Sequence, residues 1–221
     1  MRASLDTNVI IHLYQANREQ ILFDFFEDGV FIYEQIRNVE LQNHGQSVIE
    51  RIDRDISSGK IKVYTRQILK EQGVLLVFEE HVCDTKNAYA PGDMGEVYAI
   101  ALAQTLGTYA LVTDDIKQGG PYMSLLQFVD YDVMPLTFAD LLLLRFLEGK
   151  ETAKDTISIF GSINEASSLN WSFTSQLGKF IRRFWIEPYQ EADKKWMVML
   201  CEHNEINFKE KIKELRKLIN N

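Results

Sequence analysis

Acidic residues sit at three places in this chain where an apolar run ends or a helix begins. Asp6 closes the run before Thr7-Asn8-Val9-Ile10-Ile11. Asp93 and Glu96 open the segment Gly92-Asp93-Met94-Gly95-Glu96-Val97-Tyr98-Ala99. Asp114 and Asp115 end Leu111-Val112-Thr113-Asp114-Asp115. Gathering carboxylates in one place costs free energy, because like charges repel and burial disfavours the ionised form. A divalent cation is the usual compensation, and a hard ion such as Mg²⁺ prefers oxygen ligands.

The elements that must position these acids follow from periodicity. Residues 2–5, 30–33, 61–64 and 109–112 are short apolar or β-branched runs bounded by turn signals, so they are predicted strands. A fifth is expected at Val133-Met134 within residues 128–136. Helical patterns fall between them, at residues 19–26, 35–42, 45–56, 68–78, 92–106 and 138–147, with another directly after Asp6, which Asp6 or Thr7 can cap. The helix at 68–78 is expected to continue through Gly73, and Gly107 and Gly149 are expected to end helices. Strands separated by helices imply parallel pairing and right-handed crossovers. The expected fold is α/β, a three-layer α/β/α sandwich around a central, mainly parallel sheet over residues 1–149. In such sheets the ligand site lies beyond the carboxyl ends of the strands, where Asp6 and the Asp114-Asp115 pair fall. Residues 150–221 read as a helical C-terminal extension, with Trp171, Phe173, Leu177, Phe180, Ile181, Phe184 and Trp185 at helical spacing.

Composition narrows the class. The chain has 221 residues, 46% hydrophobic and 25% charged, as in ordinary globular proteins. Its net charge of −8 is uneven: residues 1–150 hold 13 Lys and Arg against 22 Asp and Glu, while residues 151–221 are close to balanced. An acidic front half argues against broad electrostatic binding of nucleic acid, though bound metal and basic tail residues could offset it. Cys83 and Cys201 make neither a disulfide framework nor a zinc motif, and four scattered histidines add none, so reduced thiols in a cytoplasmic protein are expected. An acid at position 6 leaves no room for a signal-peptide apolar region, and residues 141–144 are too short to cross a bilayer. No nucleotide-binding glycine motif is present.

The opening Leu5-Asp6-Thr7-Asn8-Val9-Ile10, the helical acid in Val39-Glu40-Leu41, Gly95-Glu96 followed by Ala101 and Ala103, and the closing Leu111-Val112-Thr113-Asp114-Asp115 together resemble the PIN-domain nuclease family over about residues 2–140. The resemblance implies catalytic acids at Asp6, Glu40, Glu96, Asp114 and Asp115, with Asp6, Glu96, Asp114 and Asp115 as metal ligands. It implies Mg²⁺ or Mn²⁺ as cofactor, RNA as substrate, and an antitoxin as partner, since many members are toxins of toxin–antitoxin pairs. Phosphodiester hydrolysis needs an activated water and neutralised charge, which carboxylate-held metal ions supply. Each acid also has a plainer reading. Asp6 could be a helix N-cap, Glu40 a solvated surface acid, and Glu96 with Asp93 a response to the helix dipole. Glu34 competes with Glu40 because it follows the second strand directly. Strand-end position favours Asp114 and Thr-x-Asp spacing favours Asp115. Asp93 is an auxiliary candidate, and Asn8 and Thr113 could orient a ligand or water by hydrogen bonding or serve equally as structural caps. In the tail, Arg182 and Arg183 could touch RNA phosphates, with solvated faces as the default, and the tail could cover the site, form a homodimer or hold a partner. The rival function is a non-catalytic PIN-fold scaffold for RNA or protein. A receiver-like phosphotransfer domain is set aside, since Asp6 has no acidic neighbour and Tyr64-Thr65-Arg66 offers no phosphoacceptor.

Overall fold

The computed structural model describes residues 1–88, 94–127 and 133–219. The chain divides into two compact units, Met1–Phe138 and Ala139–Asn221. The helix expected at the end of the front domain, Phe138–Leu147, begins at this division, so most of it groups with the tail.

In the first unit, β1 (Ala3–Leu5) leads into α1 (Thr7–Gln15), then α2 (Gln20–Phe25) and β2 (Val30–Tyr33). A π-helical turn over Ile36–Glu40 and a 3₁₀ turn over Leu41–Asn43 take the place of the continuous helix expected there. They are followed by α3 (Gln46–Ser57), β3 (Ile61–Tyr64), α4 (Arg66–Glu71) and α5 (Leu75–Ala88). Then come α6 (Met94–Thr105), β4 (Ala110–Val112), α7 (Pro121–Gln127) and β5 (Met134–Leu136).

The five strands form one wholly parallel sheet in the order β3-β2-β1-β4-β5. β1 is central: Ala3 lies opposite Val30 on one side and Ala110 on the other. Ala3 and Leu5 are fully buried, as are all three residues of β4. A strand covered on both faces reads as a short continuous apolar run rather than an alternating one, which is why these strands were visible in sequence. Helices flank the sheet. α1 buries Val9, Ile10, Leu13 and Tyr14, and α6 buries Val97, Ala99, Ile100, Ala101, Leu102 and Ala103. The small alanines let α6 lie close to the sheet, and the Ser4 hydroxyl donates to the Ala99 carbonyl at 2.8 Å.

The single helix expected over 68–78 is two helices. Gly73 takes φ +73°, a left-handed conformation that glycine adopts without steric cost and that ends a helix. Thr65 caps the first of the two by accepting the Ile68 N–H. The chain then turns back, and Phe78 on α5 packs with Tyr33 and Tyr98.

The second unit holds α8 (Phe138–Leu147) beyond its first residue, α9 (Ala153–Ser167), α10 (Phe173–Ile181), a π-helical turn over Arg182–Ile186, α11 (Glu191–His203) and α12 (Phe208–Ile219). Its aromatic residues are largely core. Phe180 and Phe184 are almost fully buried and touch each other, while Phe184 also meets Trp196. Among the described residues, no helix is long and apolar enough to cross a membrane.

Two buried phenols give the first unit a defined alkaline limit. The Tyr14 hydroxyl donates to Asp55 at 2.7 Å, and burial first, then that acid, pushes its pKa upward. Burial first, then the Glu34 charge, pushes Tyr33 up to about 12. Both phenols therefore hold their proton more tightly folded than unfolded. Their stabilising effect is complete below the ordinary tyrosine value of 10.0 and is lost as pH rises through the folded values. Urea midpoints should hold up to about pH 10 and fall between there and about pH 12. Tyr33→Phe should make that fall shallower; a profile unchanged by the substitution would reject this assignment.

Candidate functional site

Of the acids singled out by sequence, Asp6, Glu40, Glu96 and Asp114 lie on segments that reach the carboxyl edge of the sheet. Asp6 follows β1 directly and is the N-cap of α1: its Oδ1 accepts the Thr7 N–H at 2.8 Å. The capping reading is therefore correct, but it occupies one oxygen only. Oδ2 accepts a hydrogen bond from the Thr113 hydroxyl, also at 2.8 Å, so the residue after β4 holds the residue after β1. Asp6 is only 2% exposed.

Glu40 reaches the same edge from the segment that follows β2. It is the last residue of the π-helical turn, and such turns re-aim side chains that a regular helix would send elsewhere. The Thr7 hydroxyl donates to Glu40 Oε2. The Glu40 carboxyl also rests against Gly95, where any Cβ would overlap it. Gly95 and Glu96 lie in the first turn of α6, the positive end of the helix dipole. Because α6 precedes β4 and crosses back over the sheet, its amino end lies at the carboxyl edge of the strands. Ser4 and Ala99 fix the register of that crossing. Glu96, one helical turn before Ala99, is thereby set beside the end of β1, and it is buried at 7% exposure. Glu34, the competitor, is used elsewhere: its Oε1 accepts the Arg66 N–H at 2.7 Å at the start of α4.

The paired acids separate by role. Asp114 has no exposed side-chain surface; its Oδ2 meets His12 Nδ1 at 2.8 Å and its Oδ1 accepts the Phe138 N–H at 2.9 Å. Asp115 turns into its own loop. It pairs with Lys117 Nζ at 2.6 Å, accepts the Lys117 N–H, and stands where a Cβ on Gly120 would meet it. Thr113 Oγ1 also accepts the Asp115 N–H at 3.2 Å, so one hydroxyl organises both strand ends. Asn8 is half-buried in the first turn of α1. Asp93 lies outside the described residues.

The result is a connected set: Thr113 to Asp6, Thr7 to Glu40, Glu40 against Gly95 beside Glu96, and Asp114 held by His12. Its donors are carboxylate and hydroxyl oxygens, the type hard divalent cations take. Among the described residues, no three His, Cys, Asp or Glu side chains are drawn together tightly enough to hold an ion by themselves. A cavity of about 420 Å³, lined by His81, Gln104, Gly107, Thr108, Tyr109 and Val133, opens where α6 ends and β4 begins, at the other edge of the sheet.

Thr7 and His12 were missed by sequence reasoning. Both lie on α1 after Asp6, and the available signal was position: polar residues amid the buried Val9, Ile10, Ile11 and Leu13. The expected phosphate contact at Arg183 is corrected by its burial. Arg183 is 2% exposed and pairs with Asp193 at 2.7 Å and Asp140 at 4.0 Å. Its role is internal to the second unit. Arg182 is exposed, 3.9 Å from Glu187.

Comparison with family models, with curated proteins and with solved structures returns no match.

The Gly95 contact can be tested by contrast. Alanine in place of a helical glycine normally gains about 0.5–1 kcal/mol. Gly161, in α9 with open space where a Cβ would go, should show that gain as Gly161→Ala. Gly95→Ala should lose stability instead, because the half-buried Glu40 carboxyl must move and give up its Thr7 bond. Urea unfolding of the two variants against the parent gives the comparison, and equal gains would dismiss the contact.

Proposed function

We propose that the first unit is a metal-dependent endoribonuclease of PIN type, cleaving RNA phosphodiester bonds with Mg²⁺ or Mn²⁺, and that the protein is the toxin of a toxin–antitoxin pair in the cytoplasm. The observation that carries the nuclease reading is the oxygen-rich edge itself. Asp6, Glu40, Glu96 and Asp114 come from four separate segments and are steered to the carboxyl end of a parallel sheet. A helix cap needs one acid there, not four, and burial makes each additional carboxylate more costly. The toxin reading rests on the family resemblance alone.

Asp6, Glu96 and Asp114 are the residues that would hold the ion, with Glu40 alongside. Mg²⁺ keeps several of its waters and takes few protein carboxylates, which suits a set that does not close into a cage. When bound, the metal supplies a water of lowered pKa and neutralises charge on the phosphate. The chain's own residues do the positioning. Thr113 leaves Asp6 a single orientation, because one carboxylate oxygen faces its hydroxyl and the other faces the Thr7 N–H. Thr7 holds one oxygen of Glu40. His12 and the Phe138 N–H hold Asp114 through one carboxylate oxygen each. Asp115 serves the loop that carries Asp114. Side chains fixed in this way lose little freedom when substrate arrives, which is where much of the benefit of a preformed site lies.

Cleavage of single-stranded RNA in Mn²⁺, read on gels beside filter binding, tests the proposal. Glu96→Gln should abolish cleavage, as EDTA should for the parent, while binding stays intact or tightens slightly because a negative charge near the phosphate is gone. Mn²⁺ should raise the melting temperature by binding the folded state only, and Asp6→Asn should blunt that rise. Cleavage that survives both EDTA and Glu96→Gln would remove the metal mechanism. Binding without cleavage in either metal would favour the scaffold.

A further inference from the structure

The second unit carries an apolar groove with a cationic edge. One hollow of about 240 Å³ is lined by Leu177, Gly178, Ile181, Arg216 and Ile219, among others. A second of about 400 Å³ is lined by Ile181, Trp185, Ile186, Ile212, Lys213 and Lys209, among others. Arg216 and Ile181 line both, so the two run together as one groove bordered by α10, the π-turn after it and α12. Ile186 stands at its end with 60% of its surface exposed.

The charges along this groove are arranged rather than scattered. Lys209, Lys213 and Arg216 follow one another at steps of four and three, which places them in a single row along α12. All three are exposed, and among the described residues none forms an ion pair. Glu210 and Glu214 of the same helix each lie one residue further on, about 100° around the axis. A stripe of unpaired cations beside an aliphatic floor is complementary to one kind of surface, an apolar stripe flanked by carboxylates.

We propose that this groove is the docking site for an acidic amphipathic helix of a partner protein. Its apolar residues would lie on Leu177, Ile181, Ile186 and Ile212, with its carboxylates against Lys209, Lys213 and Arg216. Helix-in-groove recognition uses anchors at three- and four-residue spacing of this sort. The floor disfavours nucleic acid, which is bound through stacking on open aromatic faces. Trp185, the aromatic side chain best placed for that, already has one face covered by Phe208, with centroids 4.3 Å apart and planes within 8°. Gly178 keeps the groove open: it is helical, and a Cβ there would meet nothing within 4 Å.

The test uses the full chain and a fluorescein-labelled helical peptide of about 18 residues, roughly 27 Å long, with leucine at the anchor positions and glutamate elsewhere. Fluorescence anisotropy should show saturable binding that weakens with salt, and a peptide with lysine in place of glutamate should not bind. Two variants probe the two halves of the proposal. Lys213→Glu combined with Arg216→Glu should weaken binding by about tenfold or more, equivalent to 1.4 kcal/mol per tenfold. Gly178→Leu, whose Cβ meets no neighbour, extends into the groove and should do the same while melting no lower than the parent. The proposal fails if the acidic peptide does not bind, if the lysine peptide binds equally well, or if both variants bind like the parent. It also fails if labelled oligouridine takes the groove and the peptide does not. A dimer seen by light scattering and lost in Gly178→Leu would give the groove to a second copy of the chain, and would overturn it as well.

Discussion

Glu40 can rest on the first turn of α6 because residue 95 has no side chain. That approach joins two segments otherwise on different sides of the sheet, one leaving β2 and the other entering the α6 crossover toward β4. The carboxylate meets the positive end of a helix dipole there, and such a placement contributes on the order of 0.3–1 kcal/mol when partly exposed and up to about 2 when more enclosed. Most of the site's geometry follows from it. Thr7 must face Glu40, which sets how α1 leaves Asp6, and Asp6 must then present its other oxygen to Thr113. A larger residue at 95 would break this sequence of dependences at its first member.

The strands were legible in the sequence because burial on both faces leaves a plain trace. Ser4-Leu5, Val30 to Tyr33 and Leu111-Val112 are short apolar runs, and short apolar runs ended by turn residues have few other uses. The order of the elements then implied a parallel sheet and located its functional edge. Local backbone choices were harder to read. The pattern over residues 68–78 is apolar enough for one helix, and whether Gly73 is tolerated or ends it depends on what Phe78 packs against. The π-turn that delivers Glu40 leaves no periodic mark at all, since it inserts one residue into an otherwise helical count.

Side-chain partners were legible only in part. Asp6 could be nominated because a strand end followed by Thr-Asn suggests both a cap and a ligand, and it proves to cap with one oxygen. His12 offered only its position on α1, because its partner Asp114 lies 102 residues away. Arg182 and Arg183 look equivalent in sequence, yet neighbours on a helical path point about 100° apart. One is exposed, and the other is enclosed with Asp193 and Asp140 beneath the Phe184 ring. Burying a guanidinium costs several kcal/mol unless hydrogen-bonded acids surround it. Where those acids are present, as here, the arrangement tolerates few alternative packings of α8, the π-turn and α11.

The position of β1 in the sheet has a consequence for how the protein forms. Its two neighbours come from very different distances along the chain: β2 is about one helical excursion away, whereas the contact between Asp6 and Thr113 spans 107 residues. During synthesis at roughly 5–20 residues per second, about 5–20 seconds separate the emergence of these two positions. Throughout that interval β1 can pair on one side only, and its other edge presents unpaired amides beside an apolar helix. Parallel sheets with such distant pairings close late. β1 leaves the ribosome long before β4 and is therefore among the last strands to be enclosed, and a chain stalled before β4 would display a bare strand edge of the kind that chaperones bind and that aggregation exploits.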